Sequence, residues 1–172
     1  MKTLLVFDDK NYTEHMPVCE KFAARGVILR DGKLAVQQSR AGECKILGGG
    51  MEQKEDAAEA LYREVLEEAG LFIKKDTICN LGTISEMRED IFKKGTKFVC
   101  HTTYYQCEVL EETTEPQMTQ SEIEKGFCLK WYTPEEVIQN NQPFLHQPWI
   151  KRDTAFLQLL IDGVLDIKMG QE

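Results

Sequence analysis

Gly48-Gly49-Gly50-Met51-Glu52-Gln53-Lys54-Glu55, running on to Arg63-Glu64-Val65-Leu66-Glu67-Glu68-Ala69-Gly70-Leu71, is the stretch on which the fold turns. Three successive glycines let the backbone bend sharply and approach an ion or a phosphate closely. From Lys54 to Ala69 the residues Ala58, Leu61, Val65 and Ala69 recur at three- and four-residue spacing, which predicts a helix. Gly70 then supplies a left-handed cap that ends it. On that helix Glu64, Glu67 and Glu68 stand at i, i+3 and i+4 and share a face. The face opposite, Ala58, Leu61 and Val65, is expected to anchor the helix to a sheet. Like charges at this spacing repel by roughly 0.2–0.5 kcal/mol per pair, so local stability does not account for the cluster. A hard divalent cation does, because it takes oxygen ligands and needs countercharge. A glutamate-rich helix face alone is usually solvated, and a glycine triplet alone is usually a loop. Their joint occurrence is what points to a site.

Outward from this segment the chain alternates strand-like and helical patterns. Phe22 to Leu29, Asp31-Gly32 and Lys33 to Gln37 read as a hairpin with a D-G turn. A polar loop, Ser39 to Lys45, leads into Ile46-Leu47 and the glycines. Beyond the helix, Thr77 to Glu86 and Lys97 to Leu110 read as strands joined by a charged connection. A second polar loop, Glu111 to Lys125, precedes a short strand, Phe127 to Tyr132. Thr133-Pro134 starts a capped helix, and Asp153 to Asp162 is a terminal helix with Phe156, Leu159 and Leu160 inward. Strands with two or three helices predict an α+β sandwich, and no linker or repeat divides residues 1–172, so one domain is expected.

The composition is that of an ordinary globular chain, 42% apolar and 29% charged, with a net charge of −8. An acidic chain is a poor partner for nucleic-acid polymers or anionic membranes, which reward clustered Lys and Arg. No apolar run approaches the ~20 residues that span a bilayer, and Met1 to Asp9 lacks the features of a signal peptide. Six cysteines carry no C-x-x-C pair, so they are expected to be reduced thiols, mostly in the core of a cytoplasmic protein.

The glycine–glutamate segment resembles the signature of the Nudix hydrolase superfamily, G-x5-E-x7-R-E-U-x-E-E-x-G-U with U aliphatic. Gly49, Glu55, Arg63, Glu64, Val65, Glu67, Glu68, Gly70 and Leu71 match every specified position. The resemblance implies an α/β/α sandwich around a mixed sheet. It implies Glu64, Glu67 and Glu68, with the carbonyl of Gly48, as ligands for Mg2+ or Mn2+. Glu55 is placed at the helix start near the metals, and Arg63 orients the carboxylates through hydrogen bonds. A metal-activated water attacks one phosphorus of a diphosphate. Where relatives commonly carry Trp-x-Leu-Pro, this chain reads Lys45-Ile46-Leu47-Gly48. The catalytic base in several subfamilies lies on a later loop, which makes Glu122 and Glu124 the candidates here.

Arg25, Arg40, Lys45 and Arg88 are available as phosphate contacts from strands or adjacent loops. Tyr104, Tyr105, Phe98 and Trp131 read chiefly as core, and His101 as a packed or hydrogen-bonded histidine. The expectation is a pyrophosphohydrolase acting on a nucleoside diphosphate linked to another moiety: a nucleotide sugar, ADP-ribose or a nucleoside triphosphate. Its partner is a small phosphorylated, nucleotide-containing substrate, and a homodimer is a natural assembly. The alternatives are a nucleotide-sensing module on the same fold, and an isomerase of the isopentenyl-diphosphate type. The isomerase needs a cysteine–glutamate pair that has no evident place in this chain.

Overall fold

The computed structural model describes residues 2–165 and 167. Its largest sheet has the order β1 (Thr3–Asp8), β8 (Cys79–Glu89), β9 (Lys97–Gln106), β2 (Val18–Val27) and β6 (Gly48–Gly50). The β1–β8 and β2–β9 pairs are parallel and the other two antiparallel, so the sheet is mixed. A second group is built on β4 (Lys33–Gln38), which pairs with β3 (Leu29–Arg30), β5 (Cys44–Ile46) and β11 (Cys128–Tyr132). Two short strands, β7 (Leu71–Ile73) and β10 (Val109–Thr113), pair beside them. The helices are α1 (Ala57–Ala69), α2 (Gln120–Lys125), α3 (Pro134–Asn141) and α4 (Pro148–Ile161).

The layers follow from strand alternation. Val27, Leu34, Val36 and Ile46 point to one side, onto Val137 of α3 and Phe156 and Leu157 of α4. Ile28, Ala35 and Leu47 point to the other, onto Ala60, Leu61 and Val65 of α1. Helices thus cover both faces, the expected α/β/α sandwich. Among the described residues no helix is long and apolar enough to cross a membrane.

Several expectations need adjusting. The D-G turn forms, with Asp31 and Gly32 at φ of 51° and 72°, but it closes only the short β3–β4 hairpin. The strand ending at Val27 belongs to the large sheet, where its partners are β9 and β6. Burial of Val27 and Ile28 on opposite faces draws the chain from one sheet to the other. The helix begins at Ala57, not Lys54. Asp56 caps it, accepting from the Glu59 N–H while Glu59 reaches back to the Asp56 N–H, a D-x-x-E box the periodicity overran. Its C-terminal cap, Gly70 at φ 65°, is as expected. The predicted strand to Leu110 is two strands, β9 and β10. The predicted loop 111–125 ends in α2, whose Thr119 and Glu122 form another capping box. The terminal helix starts earlier, at Pro148. Cys44, Cys100 and Cys107 are buried, but Cys79 and Cys128 are exposed, so core filling describes only half of the six free thiols.

Candidate active site

The glycine loop and α1 meet at close quarters because two glycines permit it. Gly48 holds φ at 121°, and a Cβ there would lie 2.2 Å from the Ala24 carbonyl oxygen. A Cβ on Gly49 would lie 2.4 Å from the Glu64 carboxyl carbon. The carboxylate of Glu64 therefore rests where any other residue at position 49 would place its side chain.

Arg63 organises the exposed side of the cluster. Its Nε and Nη2 donate to the two oxygens of Glu55 at 2.8 and 2.9 Å, a bidentate pair. Nη1 donates to Glu64 at 2.7 Å and Glu67 at 3.4 Å, and Nη2 also reaches the Gly50 carbonyl at 3.1 Å. The guanidinium holds the Glu55 carboxyl below the usual range. One guanidinium thus ties Glu55, Glu64 and Glu67 together.

Glu68 sits differently from its neighbours. Seven residues on from Leu61 and three from Val65, it falls on the buried stripe, with 5% of its side chain exposed. The expectation that the carboxylates oppose the apolar face thus fails for Glu68; the i+7 spacing from Leu61 was the available signal. Ala60 rather than Ala58 completes the buried stripe. Glu68 Oε2 accepts the Gly48 N–H at 2.8 Å, and Oε1 lies 3.7 Å from Lys45 Nζ. Burial pushes its carboxyl up to about 7 against the opposing pull of Lys45, Arg25 and the Gly48 N–H, with Glu64 adding to the rise.

Beyond the motif, Arg25 is buried and its Nη1 donates to the carbonyls of Ile46, at 2.8 Å, and Gly48. It braces the loop from β2. Glu122, at the start of α2, stands 3.7 Å from the same Lys45 ammonium that pairs with Glu68. Although burial opposes it, the Thr119 N–H and hydroxyl and Lys45 hold the Glu122 carboxyl below the usual range. Glu124 is exposed and takes a hydrogen bond from Gln120. The fold thus brings Glu122 to the motif and leaves Glu124 outside. Arg40 is exposed against Gly126 at the end of α2. Arg88 is buried on β8, three strands from β6, with its guanidinium over Phe98 and hydrogen bonds to Glu86 and the Glu89 carbonyl. Neither contributes to this cluster. His101 is hydrogen-bonded between Ser85 and Glu20, and Tyr104 stacks on Phe156 in the core, both as expected.

Lys45, read from sequence as an available phosphate contact, instead pairs with two carboxylates, and Asp153 carried no assigned role. Lys45 replaces the family's usual aromatic and links Glu68 to Glu122. Asp153 on α4 accepts the Ile46 N–H at 3.2 Å and the Tyr104 hydroxyl at 2.7 Å, and pairs with Arg152. It anchors β5, just before the loop, from across the sheet.

The donor set fits a hard divalent ion: three carboxylates and a backbone carbonyl, all oxygen. In the structure their negative charge is shared among Arg63, Lys45 and Arg25. Among the described residues no three acidic, His or Cys side chains converge closely enough to clasp an ion.

The NUDIX domain profile matches residues 20–153, most of the chain and the whole of this cluster. The chain belongs to the Nudix family. No curated protein sequence matches it. Solved structures that resemble this Nudix hydrolase share the fold at low identity. A NUDIX hydrolase from Nitrosomonas europaea is 18% identical with a TM-score of 0.57, covering 89% of this chain and 100% of its own. An ADP compounds hydrolase is 15% identical with a TM-score of 0.56, covering 84% and 72%. A MutT NUDIX hydrolase from Burkholderia pseudomallei is 18% identical with a TM-score of 0.52, covering 68% and 85%. Membership of the Nudix family makes this chain a hydrolase of pyrophosphate bonds.

Proposed function

We propose that this Nudix hydrolase cleaves the diphosphate linkage of a small nucleoside diphosphate joined to another moiety, with Mg2+ or Mn2+ held by Glu64, Glu67, Glu68 and the Gly48 carbonyl. The observation that carries the reading is the meeting of Gly48 and Gly49 with Glu68 and Glu64. The loop backbone and the helix carboxylates touch directly, through the Gly48 N–H on Glu68 and the Glu64 carboxylate against Gly49. The bound metal supplies an acidified water and charge neutralisation for phosphates. Arg63 holds Glu64 and Glu67 in place, Arg25 braces the loop, and Glu122, not Glu124, is the proton acceptor from water. Of the sequence-selected arginines, Arg25 is committed to the loop backbone and Arg88 to Glu86. Phosphate contact from the protein therefore falls to groups at the cluster itself. The nucleoside assignment draws support from the name of the ADP compounds hydrolase that shares the fold, and the free thiols suit a reducing cytoplasm.

The test is turnover of a panel of nucleotide sugars, ADP-ribose, dinucleoside polyphosphates and nucleoside triphosphates with Mg2+, reading phosphate-containing products. Hydrolysis of at least one ADP-like member is expected. Glu67→Gln and Glu68→Gln are expected to lower turnover at least ~100-fold with the fold intact, the scale at which loss of groups acting on the transition state is felt. Normal rates in both variants would remove the metal assignment.

A further inference from the structure

We propose that Lys45 is a resident cation of the carboxylate cluster, a positioning residue that ties Glu122 to the Glu68 end of the site and weakens the site's hold on divalent metal. The proposal rests on the metal reading above. Lys45 lies on β5 directly across from Gln37 of β4, which in turn faces Leu129 of β11. Cross-strand partners project to the same face, so the strand register aims the lysine inward, toward α1 and α2. Its ammonium stands 3.7 Å from Glu68 Oε1, 3.7 Å from Glu122 Oε1 and 4.4 Å from the centre of the Phe127 ring. Both carboxylate partners and the lysine have under a fifth of their side chains exposed. By contrast Lys74 pairs with Glu108 in open solvent, at 43% and 62% exposure. Enclosure lowers the effective dielectric, so the first arrangement acts on a neighbouring ion far more strongly than the second.

Gln37 reinforces the geometry. It is wholly buried, and its amide makes no well-formed hydrogen bond among the described residues, yet it lies beside Glu122 and helps keep that carboxyl ionised. Lysine and glutamine thus draw Glu122, which arrives from a segment more than fifty residues past the motif, up against the cluster.

Charge then decides the direction of the effect. With all groups ionised, Glu55, Glu64, Glu67, Glu68 and Glu122 face Arg25, Lys45 and Arg63. Two negative charges remain, the charge of one divalent ion. Removing Lys45 leaves three, and takes away the positive charge nearest to a metal entering beside Glu68.

The test is calorimetric titration of Mn2+ into the intact protein without substrate, for the natural chain, Lys45→Met, Lys45→Gln, Lys45→Arg and Glu68→Gln. The neutral variants are expected to bind Mn2+ at least tenfold more tightly, and Lys45→Arg to keep the natural affinity. If Lys45 merely stabilises the fold, the neutral variants will melt at lower temperature with Mn2+ affinity unchanged, which would overturn the proposal. So would weaker binding in either neutral variant. Glu68→Gln separates the two readings: weakened Mn2+ binding there alongside unchanged Lys45 variants refutes only the lysine's role. Unchanged binding in Glu68→Gln refutes the metal site and the lysine's role with it.

Discussion

Replacing Glu68 by Gln in metal-stripped protein should change how stability responds to pH, in a direction and by an amount that follow from its burial. The side chain is 5% exposed and its carboxyl is raised from 4.5 to about 7, chiefly by loss of hydration. The folded protein therefore keeps a proton on Glu68 over a range where the unfolded chain has lost it. Below about pH 4.5 both states are protonated and no cost appears. As pH climbs toward 7, ionisation is favoured only in the unfolded chain, so stability falls, and the loss is complete once the folded carboxyl ionises too. At 1.36 kcal/mol per pKa unit the whole effect is about 3 kcal/mol. About 2.5 kcal/mol of it falls between pH 5 and pH 8. Glutamine carries no proton to lose. Urea unfolding in EDTA at pH 5 and pH 8 should show the natural protein losing about 2.5 kcal/mol relative to Glu68→Gln. Saturating Mg2+ at pH 8 should then raise the natural protein's stability more than the variant's, since a metal binds the ionised form. Parallel stability–pH curves for the two proteins would refute the account, because they would mean that Glu68 titrates alike in the folded and unfolded chain.

Other substitutions test the loop and its supports. Gly49→Ala puts a methyl group 2.4–2.6 Å from the Glu64 carboxyl atoms; Glu64 must swing away, so turnover should fall at least ~10-fold with a melting temperature near the natural one, and unimpaired activity would count against Glu64 as a metal ligand. Gly48→Ala meets backbone instead, the Ala24 carbonyl, at a φ of 121°. It should cost about 3 kcal/mol or more in denaturant unfolding, and a loss below 1 kcal/mol would mean the loop relaxes freely. Asp153→Ala leaves the Tyr104 hydroxyl, the Ile46 N–H and part of the Arg152 charge without a partner in the core. A loss of about 3–5 kcal/mol is expected, with activity per folded molecule reduced through displacement of β5; equal stability would show that water or Glu86 replaces the carboxylate.

Local chemistry was legible in the order of residues wherever it depends on spacing along one element. Gly70 ends α1 as a left-handed cap, Thr133-Pro134 opens α3, and the Arg63–Glu68 run lies on a single helix because periodicity and capping act over a few residues. The start of α1 was also written locally, in Asp56 and Glu59, but periodicity alone overlooked it. Contacts between elements were not legible in this way. Lys45 meets Glu122, Arg25 meets the Gly48 carbonyl, and Asp153 reaches the Ile46 N–H more than a hundred residues away. Which partners meet depends on strand register and on which of two faces each side chain takes, and these are settled only when both faces of the sheets bury apolar area at once. The glycine–glutamate motif therefore carried the family and the identity of the carboxylates. Packing decided that Glu68 is the buried one, that Glu122 rather than Glu124 joins it, and that a lysine stands between them.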